Sequence, residues 1–256
     1  MGELYYVFSD ETGHWNNEGF YIRSWVLFSE TEYIKLKGRI ELFKKLNDKD
    51  SELKFKETHD YSLFCDLDFK VYFTLTFSQD FKERKFDLIT DVESQENPSF
   101  VINNKNIKNN ILNTLKNSIF LNIYEYYHIS NSLKNFKEEY IDKTLIFMVD
   151  SPQCQNNDWT KMFDEFKAEK FKLKIIHNSG KEIGIQFADI LAGNLKKILS
   201  QIEKGTPFNE FEKKIISNFS LNNGLEKAFL NNPQIIMWDA KHQEFVNKLI
   251  EINNEN

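Results

Sequence analysis

Gly184-Ile185-Gln186-Phe187-Ala188-Asp189-Ile190-Leu191-Ala192-Gly193 places a single carboxylate on a helical surface of small and apolar residues. Ile185, Ala188, Ala192 and Leu195 recur at helical spacing and are expected to face a core. Asp189 stands one position beyond Ala188, where a carboxylate stays ionised only if it is exposed or partnered. The helix is expected from about Ile183 to Ile202, with Gly205-Thr206-Pro207 marking the break after it. A second isolated acid, Asp10, ends the apolar strand that begins Leu4-Tyr5-Tyr6-Val7-Phe8. Two acids so distant in sequence, each at the edge of a hydrophobic element, point to a metal site assembled by folding.

Upstream of the helix, Thr144 to Val149 is a short, fully apolar strand ending at Asp150, with Ser151-Pro152 stopping it. Trp159 to Lys170 reads as a helix and Phe171 to Ile176 as the next strand. That strand–helix–strand order implies a parallel pair joined by a crossover. At the other end of the chain, Leu4 to Ser9 reads as a buried strand broken by Asp10-Glu11-Thr12-Gly13, and Phe20 to Phe28 as its antiparallel neighbour. Ser29 and Glu32 have the capping-box spacing for a helix running to about Leu46, with Ile34, Leu36, Ile40 and Phe43 as its apolar contacts. Glu52-Leu53-Lys54-Phe55 alternates like a short extended segment, and Thr58 to Leu67 reads as a helix or irregular turn. Phe69 to Phe77 alternates clearly: Lys70, Tyr72, Thr74 and Thr76 on a wet face, Phe69, Val71, Phe73, Leu75 and Phe77 on a buried one. Ile107 to Ile129 has the spacing of a long helix, and Gln79 to Phe100 has no clear pattern. The residues after Gly205 read as mixed helix and loop, with Asn253 to Asn256 expected to fray.

The 256 residues, 41% hydrophobic and 28% charged, suffice for a substantial core. Residues 1–204 are expected to form one domain, and 205–256 a helical C-terminal extension packed on it. The aromatic share of 15%, with 24 Phe, is high and is expected mainly to fill the interior. A formal net charge of -6 argues against a general electrostatic affinity for nucleic acid, though not against a local basic groove. Cys65 and Cys154 lack CxxC or Cys/His spacing, so neither a disulfide framework nor structural zinc is expected. No basic leader precedes the first strand and no apolar run reaches about 18 residues, so a cytoplasmic protein without a membrane span is expected. The absence of GxxxxGK[ST] and GxGxxG motifs removes nucleotide-triphosphatase and dinucleotide readings. Ser179 has no nucleophile-elbow context, which argues against a covalent hydrolase.

If the first strand and the strand ending at Asp150 are neighbours, Asp10 and Asp150 emerge at adjacent tips. A helix packed across them then delivers Asp189. Clustered carboxylates repel one another, so such a site needs a cation or raised pKa values. Hard oxygen ligands select Mg²⁺ or Mn²⁺ over zinc. Two such ions about 3.5–4 Å apart clamp a scissile phosphate and activate water.

These residues resemble a known family. Tyr6-Val7-Phe8-Ser9-Asp10-Glu11-Thr12-Gly13, Glu52-Leu53-Lys54-Phe55-Lys56, the strand-end Asp150, and Gly184 to Gly193 are similar, in order, to motifs of the DUF3800 family. That family is similar to the ribonuclease H-like superfamily. The resemblance implies an α/β fold, a ribonuclease H-like mixed β-sheet flanked by helices, with helical insertions and the C-terminal extension. It also implies a carboxylate metal centre for phosphodiester cleavage in RNA or DNA. By position, Asp10, Glu52, Asp150 and Asp189 are then the catalytic, metal-binding acids, with Asp10 bridging two Mg²⁺ or Mn²⁺ ions. Lys54 and Lys181 would hold a phosphate. Gln186 would project toward substrate or orient a ligand. Glu125 on the long helix competes with Glu52 for the helix acid of the superfamily, and Glu52 is favoured. Glu11 is a secondary candidate: successive strand residues face opposite sides, so it either points away or converges with Asp10 where the strand has ended.

Each signal has a simpler account. Asp10 with Gly13, and Asp150-Ser151-Pro152, suit turns that end strands. Asp189 suits an exposed helix position, and Glu52 and Lys54 a solvated face. His14, His59, His128, His177 and His242 show no metal-ligand spacing, with His177 a secondary candidate as a late proton donor. The lysine runs Lys35 to Lys45, Lys167 to Lys174 and Lys196-Lys197 are ordinarily solvated faces, but on the side of Asp189 they would track phosphates. Phe166 and Phe171 would stack bases only if they are not core residues. The rival function is a non-catalytic module of the same fold that binds nucleic acid or a protein partner, in a phage-defence or mobile-element setting. The ordered acids favour the nuclease. The Ile235 to Trp238 cluster either docks a partner or closes the core.

Overall fold

The computed structural model describes residues 3–13, 20–47, 52–56, 58–77, 133, 136, 139–150, 170–176, 179–218, 247, 248, 251 and 252. Five strands form one mixed sheet: β1 Leu4–Thr12, β2 Phe20–Ser29, β3 Lys70–Phe77, β4 Thr144–Asp150 and β5 Phe171–Ile176, in the spatial order 3-2-1-4-5. β1 is antiparallel to β2 and parallel to β4, β2 is antiparallel to β3, and β4 is parallel to β5. Three helices accompany them among the described residues: α1 Glu30–Leu46, α2 Ile183–Lys204 and α3 Glu210–Ser217. This is the mixed sheet flanked by helices that the family resemblance implies.

Period-two alternation divides the sheet between two cores. Tyr6, Phe8, Ile22, Val26, Phe28, Val71 and Met148 point to one side, where α1, α2 and α3 cover them. Val7, Trp25, Leu27, Tyr72, Phe147 and Val149 point to the other, where Leu133 and Phe136 lie over them. Tyr72 is therefore not on a wet face. It is buried against the Phe136 ring, 4.7 Å between centroids, and its hydroxyl donates to Glu139 Oε1 at 3.0 Å.

β1 runs further than its apolar stretch. Asp10, Glu11 and Thr12 do not break it, because they pair with Ser24, Arg23 and Ile22 of the longer β2. α1 begins as expected, with Glu32 N–H donating to Ser29 Oγ at 3.3 Å, while the Glu32 carboxylate accepts from Asp68 N–H at 2.9 Å. Its core face is Tyr33, Leu36, Ile40 and Phe43, and Ile34 is 63% exposed. Tyr33, three residues before Leu36, shares the buried face, where its hydroxyl donates to Glu182 Oε1 at 2.7 Å, while Ile34, two residues before Leu36, falls on the opposite side. The stretch from Thr58 to Leu67 contains a single 3₁₀ turn, Ser62–Phe64.

α2 buries Ile185, Ala188, Ala192 and Leu195 as the spacing demands. It ends at Gly205, whose φ of 64° is the left-handed cap that glycine takes without steric cost. Beyond it, α3 opens with a complete capping box between Asn209 and Glu212 and sends Phe211, Ile215 and Ile216 into the α2-side core. The expected helices Trp159 to Lys170 (up to residue 169) and Ile107 to Ile129, with Glu125, lie outside the described residues. So do Gln79 to Phe100, Cys154, Phe166, the Ile235 to Trp238 cluster, Asn253 to Asn256, and His14, His128, His177 and His242. No described helix is long and apolar enough to cross a membrane.

Candidate carboxylate site

The parallel register of β1 and β4 places the first two acids. The last pair is Ser9 with Val149, so Asp10 and Asp150 are the next residues on neighbouring strands. Adjacent strands lie about 4.8 Å apart. Asp10 has the parity of Tyr6 and Phe8, and Asp150 that of Ile146 and Met148, so both face the α2 side. Ser24, opposite Asp10 on β2, shares that face: its hydroxyl lies 2.9 Å from Ala188 O and 3.4 Å from Asp10 O. The residue after Ala188 is Asp189. One helix turn thus docks on the strand position that carries Asp10.

Close approach depends on two glycines. A Cβ at Gly184 would lie 2.2 Å from the Phe8 ring, so the start of α2 rests directly on β1. A Cβ at Gly193 would lie 2.1 Å from Phe55 Cγ, so residues 52–56 rest directly on α2. That segment is tied to the helix at alternate residues. Leu53 N–H donates to Gln186 Oε1 at 2.9 Å, and Phe55 N–H to Asp189 Oδ2 at 2.7 Å.

The electrostatics follow from this crowding. Asp10 is only 8% exposed. Burial holds its carboxyl well above the ordinary carboxylate range, with further upward pushes from Glu11, Asp150 and Asp189; the N–H of Glu11, 2.8 Å from Oδ1, works the other way. Asp189 is also raised, first by burial and then by Glu52 and Asp150, while the Phe55 N–H and the Lys54 charge oppose the rise. The acids singled out in the sequence therefore feel one another.

The remaining candidates separate. Glu11 faces the opposite side of the sheet, where Oε2 sits 2.6 Å from Arg23 Nη2, with side-chain exposures of 7% and 0%. It raises Asp10 from behind rather than joining it. Gln186 is buried: its Oε1 accepts from Leu53 N–H, and its Nε2 donates to Gly180 O at 2.9 Å. Lys54 is exposed, with Nζ 3.9 Å from Glu52 Oε2. Lys181 is exposed on the 3₁₀ turn Ser179–Lys181 before α2. His59 packs edge-on against Phe43 and Tyr61 on the core side. Of the lysine runs, Lys35 and Arg39 bind Asp66, Lys37 lies over the Tyr33 ring, and Lys197 bonds the buried Glu212 at 2.7 Å. Phe171 is a core residue. Sequence reasoning missed Ser24, Arg23 and the Phe55 amide. The signal for Arg23 was present: a lone charge inside the apolar run Tyr21 to Phe28 needs a partner.

The donor chemistry fits a hard divalent cation, since the groups are carboxylates whose mutual repulsion a cation relieves. Among the described residues, however, no three such side chains stand together as a formed metal cluster. Asp10 and Asp189 each turn one oxygen onto a backbone N–H, which compensates the charge locally.

The strand order, with the central β1 antiparallel on one side and parallel on the other, is a ribonuclease H-like α/β arrangement. No protein-family model matches the chain, so the DUF3800 likeness remains one of motifs. No curated protein matches it. Among solved structures it is similar to ribonuclease H2 from Pyrococcus horikoshii, at 13% identity over 98% of this chain and 100% of that one, TM-score 0.38. It is also similar to Aquifex aeolicus RNase H3, at 14% identity over 88% and 70%, TM-score 0.38. A third is Bst-RNase HIII in complex with Mn²⁺, at 11% identity over 100% and 72%, TM-score 0.36. Scores this low add nothing to the argument from strand order.

Proposed function

We propose that this chain is a divalent-cation-dependent nuclease that hydrolyses phosphodiester bonds of RNA or DNA. The observation that carries the reading is the register that sets Asp10 beside Asp150 on the α2 face, with Asp189 on the helix turn docked against them. Asp10, Asp150 and Asp189 would hold the cation, and Glu52 would complete the set from the segment laid on α2. A bound Mg²⁺ or Mn²⁺ would supply charge neutralisation at the phosphate and an acidified water.

The chain's own residues prepare that site. Burial of Asp10 among like charges leaves it under-compensated, which favours capture of a cation over solvation by water. Ser24 locks α2 to the strand at Ala188, so the spacing between Asp189 and Asp10 does not drift. Lys172 and Lys174 are exposed on β5 with the parity opposite to Phe171 and Leu173. They therefore lie on the same sheet face as Asp150, one strand away, where they suit the phosphates flanking the scissile bond. Lys54 and Lys181 serve the same purpose from the α2 side.

Asp10→Asn and Asp189→Asn are expected to abolish Mn²⁺-dependent cleavage of labelled RNA and DNA, and to abolish thermal stabilisation by Mn²⁺, with the fold intact. Cleavage by both variants at the wild-type rate would overturn the nuclease. A wild-type protein that binds nucleic acid but neither cleaves it nor responds to Mn²⁺ would be the non-catalytic module.

A further inference from the structure

We infer that residues 52–56 form a positioning strap for Asp189, with Phe55 and Gly193 as its seat. What Asp189 does rests on the nuclease reading; how it is held rests on contacts that stand without it. Three backbone groups of the strap are clipped in a row: Leu53 N–H to Gln186, Phe55 N–H to Asp189, and Lys56 N–H to the hydroxyl of buried Tyr61 at 2.8 Å. Tyr61 returns its own hydroxyl to Lys56 O at 3.1 Å. Gln186 is itself anchored to Gly180 O, so its amide is held at both its oxygen and its nitrogen.

The seat is steric. A new Cβ at Gly193 would meet not only the Phe55 ring but also Phe55 Cβ at 2.7 Å, which rotation of the ring cannot relieve. The Phe55 ring is further held by stacking on Tyr61, 5.9 Å between centroids. The strap's geometry therefore sets which way the Asp189 carboxylate turns, since the Phe55 amide holds Oδ2. It also sets the charges beside it, because Glu52 and Lys54 ride on the same segment and act on Asp189 in opposite senses. Phe55 and Gly193 are positioning residues: they act on the cation through Asp189 and Glu52.

The test uses the full chain with Gly193→Ala and Phe55→Ala, the second keeping the backbone N–H and adding no bulk. Two readouts are taken: NMR-resolved hydrogen exchange of the Phe55 amide without cation, and Mn²⁺ affinity by calorimetry. The strap predicts faster Phe55 exchange in both variants and in Asp189→Ala, which removes the acceptor, and an Mn²⁺ affinity weakened about tenfold or more in the two seat variants, the size of effect that ligand-orienting partners have. If Gly193→Ala does not fold, Phe55→Ala decides alone. A folded seat variant with wild-type exchange at Phe55 and wild-type Mn²⁺ affinity overturns the strap. If the wild-type protein binds no Mn²⁺, the nuclease reading falls and the exchange data decide: acceleration upholds the strap, and no change overturns it.

Discussion

Asp10 shows what burying a carboxylate among other acids costs. Its carboxyl and that of Asp189 are both held above the ordinary aspartate value of 3.8, chiefly by burial. The unfolded chain ionises these groups at lower pH than the folded one. Their favourable contribution is therefore full below about pH 4 and is lost as pH rises through the folded values. Without cation, Asp10→Asn should raise stability at pH 7 by about 1 kcal/mol or more, or a few degrees in Tm, and have little effect near pH 4. The amide can still accept the Glu11 N–H, so melting curves at the two pH values isolate the charge. Equal melting shifts at both pH values would contradict it. On the far side of the sheet, Arg23→Ala should cost about 3 kcal/mol in urea denaturation, because it strips Glu11 of its buried cationic partner. A loss under 1 kcal/mol would mean that this pair is solvated. The facing of Glu11 follows from strand alternation alone, once β1 is known to continue through Thr12. The apolar run that ends at Phe8 gives no sign of that continuation; the pairing partner in β2 does.

At the scale of elements, α2 was the most legible part of the chain. Its small-residue spacing, apolar stripe and glycine stop all predict local geometry, and the helix spans Ile183–Lys204. The two glycines were visible as small residues, but not as contacts with Phe8 and Phe55, because those partners come from more than a hundred residues away. Gly184→Ala should therefore destabilise by about 1–3 kcal/mol through overpacking against Phe8, where an exposed helical glycine would gain from the same change. Gly38 is the internal control: nothing lies within 4 Å of a Cβ there, so Gly38→Ala in α1 should stabilise by about 1 kcal/mol. Chemical denaturation of the pair checks both signs. Ile34 was misplaced for a local reason: Leu36, Ile40 and Phe43 define one face of α1, and at 3.6 residues per turn Tyr33 shares that face while Ile34 falls on the opposite side.

For the whole molecule, the sheet order was readable in outline. The strand–helix–strand order predicted that β4 and β5 are parallel, as they are, whereas the adjacency of the first strand to the one ending at Asp150 was only a supposition, which the β1–β4 register supplies. The strap was not readable, because its role lies in backbone N–H groups that every non-proline residue carries. Glu52 and Lys54 are on it, yet their importance follows from where Leu53 and Phe55 are clipped. The C-terminal segment contributes α3 to the α2-side core, and Asn209→Ala at its cap should cost about 1 kcal/mol of global stability by thermal melting.

The central claim is that acids from β1, β4 and α2 make one cation site. Calorimetric titration of Mn²⁺ into the wild-type protein and into Asp10→Asn, Asp150→Asn and Asp189→Asn tests it most directly. Saturable wild-type binding that each substitution weakens by an order of magnitude or more is the expected result. Wild-type protein that takes up no Mn²⁺, or three variants that bind it as the parent does, would contradict it.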